Sequence, residues 1–599
     1  MKSSNREIVI TGEGIVSAIG LNKAQVLDSL LGGHSGVGPM KHLSSSHREL
    51  PVGEVDLSDD EMKHRLGIDA SRMVSRTALL GMMAIDQARQ EALLDEVSRG
   101  DQSLRVVLVS GTTVGGMDLT ERYYDDMRKQ GRHIDCLLQH DCGSSTDLMA
   151  AHFGFFSEWT TLSTACSSAA NAMMLGARLI ADRQADIVVA GGTEALSVYH
   201  LNGFNSLMIL DHEVCRPFDA TRQGLNLGEG AAFVVMESEE TAARRGVEPH
   251  VRLTGYGNAC DAFHQTATSD NGEGAYLAMT EALRMAGLKP SDIQYVNAHG
   301  TGTPNNDQTE SVALQRVFGD EMPLVSSTKS FTGHTTSASG AIEAVICILA
   351  MQHQFVPGNL GWKTPMDGGI TPTLGKRDVE LQHVLCNSFG FGGNDSSLLF
   401  ENIGQNSSRD AQRVLLTEDI EQEITVLSRV EINGMEQLGE LKSFVKPMEA
   451  RRMGKLMKSS LLSSLKALQM AGIECPDAIV TATAWGCLEN SERLLIQLTD
   501  EGEAATSPTW FMQSTHNTIG SQIAIRTKCH GYNATYTQGK QSLEWAIRDA
   551  QMLLKSGHSK TVLVGMHDET TPLFRELMGD ACPMQDDIRS VAMVLGVRS

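Results

Sequence analysis

The chain reads as an α/β protein with several layered cores, and three observations carry that reading. Short apolar runs that stop at glycine-bearing loops recur along it, as in Ile187-Val188-Val189-Ala190-Gly191 and Leu324 to Ser326, and read as strands. Helical stretches lie between them, the clearest from about Asn171 to Ala181. The 57 glycines suit a loop-rich chain of this class, and 599 residues with 41% hydrophobic content give roughly four domains' worth of material to bury.

Just ahead of that helix stands Ser163-Thr164-Ala165-Cys166-Ser167-Ser168-Ala169-Ala170, one cysteine set among small residues. A thiolate at a helix N-terminus meets the positive end of the macrodipole, which lowers a cysteine pKa and makes a nucleophile. A lone buried cysteine is otherwise an inert small hydrophobe. Two histidines come later in glycine-rich contexts: His299 in Val296-Asn297-Ala298-His299-Gly300-Thr301-Gly302, and His334 in Lys329-Ser330-Phe331-Thr332-Gly333-His334. Each comes after a β-like run, Ile293 to Val296 and Leu324 to Ser326, so each sits on a loop at a strand end, where open α/β sheets place their chemistry. Taken singly either histidine reads as structural; a cysteine followed by both, with Lys329 five residues before the second, is a rarer coincidence.

Further signatures surround this set: Arg6-Glu7-Ile8-Val9-Ile10-Thr11-Gly12 with Gly14-Ile15-Val16-Ser17, then Arg216-Pro217-Phe218-Asp219 with Gly228-Glu229-Gly230-Ala231-Ala232, then Asn387-Ser388-Phe389-Gly390-Phe391-Gly392-Gly393-Asn394. Over about residues 5 to 403 these ordered motifs resemble the β-ketoacyl-acyl-carrier-protein synthases of the thiolase superfamily. The resemblance implies a thiolase-like fold, layered αβαβα with mixed sheets, and a decarboxylative Claisen condensation that needs no cofactor or metal. It implies that Cys166 holds the acyl group as a thioester. His299 and His334 would stabilise the enolate left when a malonyl thioester loses carbon dioxide. The N–H groups of Cys166 and Phe391 would form the oxyanion hole, with Phe391 also gating the acyl pocket, and Lys329 and Glu310 would be a buried charged pair that orients the histidines.

Competing chemistries fit less well. Relatives of the KAS III and chalcone type carry asparagine where this chain has His334, and degradative thiolases need a second cysteine that Cys386 does not match in motif. A Cys-His hydrolase would leave the second histidine unexplained. Nothing matches a P-loop, a metal-ligand cluster or a dinucleotide fingerprint. An ordinary KAS II of fatty-acid elongation and a non-catalytic scaffold that binds acyl carrier protein stay open as alternatives.

A formal net charge of −23 argues against nucleic acid and anionic membrane as general partners. Docking of an acidic acyl carrier protein then needs a local basic patch, for which Lys63, Arg65, Arg72 and Arg76 are the candidates, equally readable as a solvated helix face. Eleven cysteines at irregular spacing fit a reducing compartment. Residues 1 to 20 hold no signal-peptide core and no apolar run is long enough for a bilayer, so the expectation is a cytoplasmic protein without membrane insertion.

After Phe400 the polar run from Gly404 to Asp410 reads as a linker, and the residues beyond it repeat the front of the chain. Arg105 to Gly116 has an echo in Asp477 to Gly486, and the helix and strand after Cys166 recur as Ala546 to Leu554 and Thr561 to Gly565. The expected organisation is therefore 1–245, an N-terminal half with the nucleophile; 246–403, a C-terminal half with the histidines; 404–413, a linker; and 414–599, a second N-terminal-type half. Ungapped alignment of Gly191 on Gly565 sets Lys540 in the column of Cys166, so this last half should be inactive. With its His516-to-Gln522 and His530-to-Asn533 runs it resembles the truncated chain-length factors of aryl-polyene and flexirubin-type pathways, which implies an internal pseudo-dimer or a homodimer. His516 and His567 themselves read as ordinary loop or core histidines.

Overall fold

The computed structural model describes residues 7–95, 104–403 and 423–598; the expected linker 404–413 lies outside the described residues. Fifteen strands form one mixed sheet. In chain order they are β1 Ile8–Ser17, β2 Val106–Gly111, β3 Glu158–Leu162, β4 Ile187–Glu194, β5 Gly230–Ser238, β6 Val251–Cys260, β7 Tyr295–Asn297, β8 Leu324–Ser326, β9 His383–Gly390, β10 Asn394–Asn402, β11 Ile424–Ile432, β12 Ala478–Ala482, β13 Tyr532–Tyr536, β14 Thr561–Glu569 and β15 Ile588–Val597. Across the sheet the order is β8-β7-β9-β10-β6-β1-β5-β4-β2-β3-β13-β12-β14-β15-β11.

That order contains one motif three times. β1 to β5, β6 to β10 and β11 to β15 each arrange their strands as first, fifth, fourth, second, third. The first and second units join edge to edge through antiparallel β1 and β6, with Ile8 opposite Leu253. The first and third join through their third strands, Leu162 opposite Tyr536, and the ladder is extended by Ser163 N–H to the Thr535 carbonyl and Thr537 N–H to the Thr161 carbonyl, both 2.9 Å. Units one and three are thus related across the β3–β13 seam like the halves of a two-fold dimer, within one chain.

Burial explains the sequence pattern. β4 lies parallel to β2 and is buried along its whole length, so it is written Ile-Val-Val-Ala-Gly-Gly rather than in alternation. Helices Ser168–Ala181 and Ser339–His353 are apolar on nearly every face and pack together between layers of sheet, which is the composition a helix covered on both sides must have. One apolar cluster runs through all three units, taking Leu162, Met173 and Leu175 from the first, Val345 and Leu349 from the second, and Tyr536, Trp545 and Ala550 from the third.

Buried polar contacts fix the seam. Arg178 places Nη2 2.7 Å from Asp549 Oδ1 and 2.7 Å from the Tyr532 hydroxyl, which donates to Asp549 Oδ2 at 2.8 Å. Arg548 pairs with Glu158 at 2.7 Å at its rim. One expectation about the surface is corrected: Arg76 is buried, bound by Glu229 and Asp59, and belongs to the core rather than to an exposed basic patch, whereas Arg65 and Arg72 are exposed. Among the described residues no helix is long and apolar enough to cross a membrane.

Candidate active site

Cys166 sits in a single 3-10 turn, Ala165–Ser167, between the end of β3 and the helix that begins at Ser168. The turn puts Ala165 at φ 52°, a left-handed conformation that a residue with a Cβ rarely adopts. Ser168 holds it: its hydroxyl donates to the Ala165 carbonyl at 2.6 Å and accepts from the Thr164 N–H at 2.9 Å. The thiol is thereby presented, buried, to loops of the second unit.

His334 Nε2 lies 3.1 Å from Cys166 Sγ, and its Nδ1 lies 3.1 Å from the Ser339 hydroxyl. His299 stands beside it, ring centroids 5.3 Å apart, with Lys329 Nζ 3.3 Å from its Nδ1. An ammonium group can only donate, so Nδ1 of His299 accepts and its proton is on Nε2. Burial, together with the Lys329 charge, pushes both imidazoles well below their ordinary value, so both are neutral. His299 is thus a neutral N–H donor with its tautomer fixed.

The expected Lys329–Glu310 pair is corrected. Lys329 Nζ binds Glu343 at 2.5 Å, both side chains being fully buried. Glu310 instead accepts the backbone N–H groups of His299 at 2.8 Å and Gly300 at 2.7 Å, so it shapes the histidine loop rather than neutralising the lysine. Burial raises Glu310 and Glu343 each to about 7. The expectation of a lowered cysteine pKa is corrected as well: burial pushes the Cys166 thiol up to about 12, outweighing the Lys329 charge and the Phe391 N–H that donates to its sulfur. The resting residue is a thiol, with its sulfur 3.1 Å from His334 Nε2.

Phe391, half-buried, comes directly after β9 in the glycine-rich turn. A Cβ on Gly390 would come within 3.2 Å of the Cys166 nitrogen, and Gly392 takes φ 87°, so glycine on either side lets the Phe391 peptide approach the thiol. Asn394 anchors the far end of this turn, its Oδ1 accepting from Asn171 Nδ2 at 3.2 Å and Ser167 Oγ at 3.3 Å. The Phe391 ring stacks on Phe204 at 5.7 Å, and Phe204 packs at 5.3 Å on Phe511 of the third unit.

A thiol and two imidazoles whose ligand atoms all lie within 4.8 Å of one another form a donor set for a soft cation, but the Lys329 ammonium against His299 opposes a positive ion there. The arrangement instead suits a negatively charged oxygen, with neutral N–H donors around a nucleophilic sulfur.

The third unit repeats the turn as Gly539–Gln541, with Lys540 exposed in the place of Cys166. His516 is half-buried against Cys142, Nε2 to Sγ 3.9 Å, and the buried His567 places Nδ1 2.5 Å from Ser590 Oγ; loss of solvent lowers them to about 4 and about 3. Two residues escaped the sequence reading. Glu343 is the one acidic side chain in a helix whose middle is otherwise apolar on every face, a pattern that itself demands a buried partner. Glu194, at the end of β4, accepts from Thr112 Oγ1 at 2.8 Å, Thr336 Oγ1 at 2.7 Å and Ser337 Oγ at 2.6 Å, binding the first unit to the turn after His334, and nothing in its local sequence marks it.

Known proteins place this geometry. "Beta-ketoacyl synthase, N-terminal domain" matches residues 5–242, "Beta-ketoacyl synthase, C-terminal domain" residues 250–363, and a second N-terminal-domain description residues 431–595. The 3-oxoacyl-[acyl-carrier-protein] synthase 2 of Vibrio harveyi is 31% identical over 424 residues, 67% of this chain and 100% of that protein. The chain belongs to the β-ketoacyl synthase family. It is a condensing enzyme of the acyltransferase type, acting in fatty-acid or polyketide biosynthesis. Among solved structures, the ketosynthase ApeO in complex with its chain length factor ApeC from Xenorhabdus doucetiae is 30% identical, with TM-score 0.58 over 66% of this chain and 98% of that one. The PfaC keto synthase–chain length factor shares the fold over 99% of this chain and 78% of its own, with TM-score 0.78 at 16% identity. The thiolase-like fold expected from the sequence is the fold observed, with a second N-terminal-type domain appended.

Proposed function

We propose that Cys166 is the acyl-accepting nucleophile of this synthase and that acyl carrier protein delivers both substrates. The carrying observation is the convergence of Cys166 Sγ, His334 Nε2 and the Phe391 N–H on one buried point, with the tautomer-fixed His299 beside it. The Cys166 sulfur attacks the carbonyl of an acyl thioester, the oxyanion is held by the N–H groups of Cys166 and Phe391, and the carrier thiol leaves with the proton. A malonyl thioester then enters. Its C–C bond to the carboxylate breaks, carbon dioxide departs, and the electron pair passes into an enolate whose oxygen accepts from the histidine Nε2–H groups. The enolate carbon attacks the Cys166 thioester, and the Cys166 sulfur leaves as a thiolate that takes a proton from water to restore the resting thiol. Lys329, held by Glu343, keeps His299 in the donating tautomer, and Glu310 holds its loop.

Incubation with an acyl-loaded carrier protein and then peptide mass spectrometry tests the assignment: the acyl adduct is expected on Cys166. An adduct on Cys386, Cys142 or another thiol overturns it.

The third unit, in this reading, is an inactive chain-length-factor-like half that completes the acyl pocket from across the seam. The Phe391–Phe204–Phe511 column supports this, since it runs from the gate residue directly into that unit. A chain ending at residue 405 should aggregate, pair with itself or change its product-length distribution; unchanged mass in solution with unchanged products excludes the role.

A further inference from the structure

We infer that Asn517, a residue of the inactive unit, positions the oxyanion-hole residue Phe391 of the active one. Asn517 stands at the N-terminus of helix Thr518–Thr527, where an asparagine ordinarily accepts from the helix's first free N–H groups, yet its side chain makes no such bond. It reaches across the seam instead, and Nδ2 donates to the Phe391 carbonyl at 2.7 Å. The side chain is buried, and its Oδ1 has no hydrogen-bond partner among the described residues. A capping interaction has been given up for a contact on Phe391, whose N–H faces the Cys166 sulfur.

The surroundings show that this contact sets geometry. The loop passes so close to the third unit that a Cβ on Gly392 would lie 2.9 Å from Asn517 Nδ2 and 3.0 Å from Ser521 Cβ. On its other side the loop is held by Gly392 N–H to the Gln265 carbonyl at 2.7 Å and by Asp261 N–H to the Gly393 carbonyl at 2.8 Å. The strand leading to Asp261 is clamped by the same inactive unit, with Cys260 N–H donating to the His530 carbonyl at 3.1 Å and Asn533 N–H to Asn258 Oδ1 at 2.9 Å. Phe391 is thus gripped from the third unit at its carbonyl directly and at its ring through Phe204. Displacement of the Phe391 Cα would carry its N–H away from Cys166, and Asn517 holds the carbonyl side of that residue from the third unit.

Asn517 is therefore a positioning residue that acts through Phe391, and the inference rests on Cys166 being the acylated residue. The half-reactions separate its role from a structural one, because acylation uses the oxyanion hole and decarboxylation uses the histidines. In the full-length chain, Asn517→Ala is expected to slow acylation of Cys166 by acyl carrier protein about tenfold, the scale of one lost hydrogen bond. Carbon dioxide release from malonyl carrier protein should stay within about twofold. Asn517→Asp keeps size and capping ability but turns a carboxylate towards the Phe391 carbonyl, and should slow acylation more than Asn517→Ala. Acylation unchanged in both variants overturns the inference, as does a parallel fall of acylation and decarboxylation, which would mark a residue that only holds the fold. Absence of a Cys166 adduct in the unmodified chain overturns the nucleophile assignment together with this inference; an adduct with unchanged variants overturns this inference alone.

Discussion

The turn at residues 164–168 and its copy at 538–542 have one backbone and opposite surroundings. Ala165 and Gly539 take φ 52° and 50°, and Thr164 and Gln538 take −118°, 43° and −121°, 50°. Ser542 repeats the bonds of Ser168, accepting from the Gln538 N–H at 2.7 Å and donating to the Gly539 carbonyl at 2.8 Å. Over the first turn lie His299, His334 and the Phe391 loop of the second unit; over the second lies no such unit, and Lys540 points to solvent. A helix N-terminus and a strained turn are therefore scaffold, and the chemistry comes from what covers them. The copy persists for another reason. Its neighbours Thr535, Thr537 and Gln538 carry the seam, Gln538 Oε1 accepting from Thr161 Oγ1 at 2.8 Å.

The comparison is broken most directly by moving the thiol. Cys166→Ala should abolish condensation, and adding Lys540→Cys should not restore it, since that thiol would have the turn without the imidazoles; product assay by mass spectrometry decides, and acylation of the new cysteine would refute the contrast. Asp549→Ala tests the seam by leaving Arg178 buried without its carboxylate, and should cost about 3–5 kcal/mol in urea or thermal unfolding. Replacing His299 or His334 by Ala should cost about 3 kcal/mol each in the decarboxylation transition state while Cys166 can still be acylated to some extent. Equal loss of both half-reactions would assign the histidines to the fold. The mildest effect concerns pH. With its pKa raised to about 12, Cys166 gains thiolate as pH rises, so its alkylation by a small haloacetamide should climb roughly tenfold per unit from about pH 7 to 9 without a plateau. A plateau near neutrality would mean that the dipole and Lys329 outweigh burial after all.

Cys166, both histidines and the recurrence of the first unit in the third were legible because each leaves a local mark: small residues before a helix, glycines around a loop histidine, apolar runs at matching intervals. Partnerships were not. The resemblance implied Glu310 as the partner of Lys329, but the helix Ser339–His353 that brings Glu343 against it is positioned by packing between sheets. Burial also reversed the pKa expected for Cys166, because a local dipole is readable in a segment and the depth of that segment is not. Arg76 misled for the same reason: charge density along the chain is visible, while the closure of Glu229 and Asp59 around one member of the cluster is tertiary. Asn517 carries an ordinary helix-start signature, and only the fold shows that its amide has left the helix for another unit.

Among the described residues β11 has no strand on its outer side, where β1 has β6. Its Val426 and Leu427 are 59% and 45% exposed, and an open strand with apolar side chains is a template for association with other chains. The register between β11 and β15 slips at Val426/Ser428, just as that between β1 and β5 slips at Ile10/Gly12. In the first unit that irregularity lies beside a covering strand. In the third it becomes protective, since a bulge bends and twists a free edge away from flat pairing. The free outer edge of the third unit is thus a solubility problem that the kink it shares with the first is placed to answer.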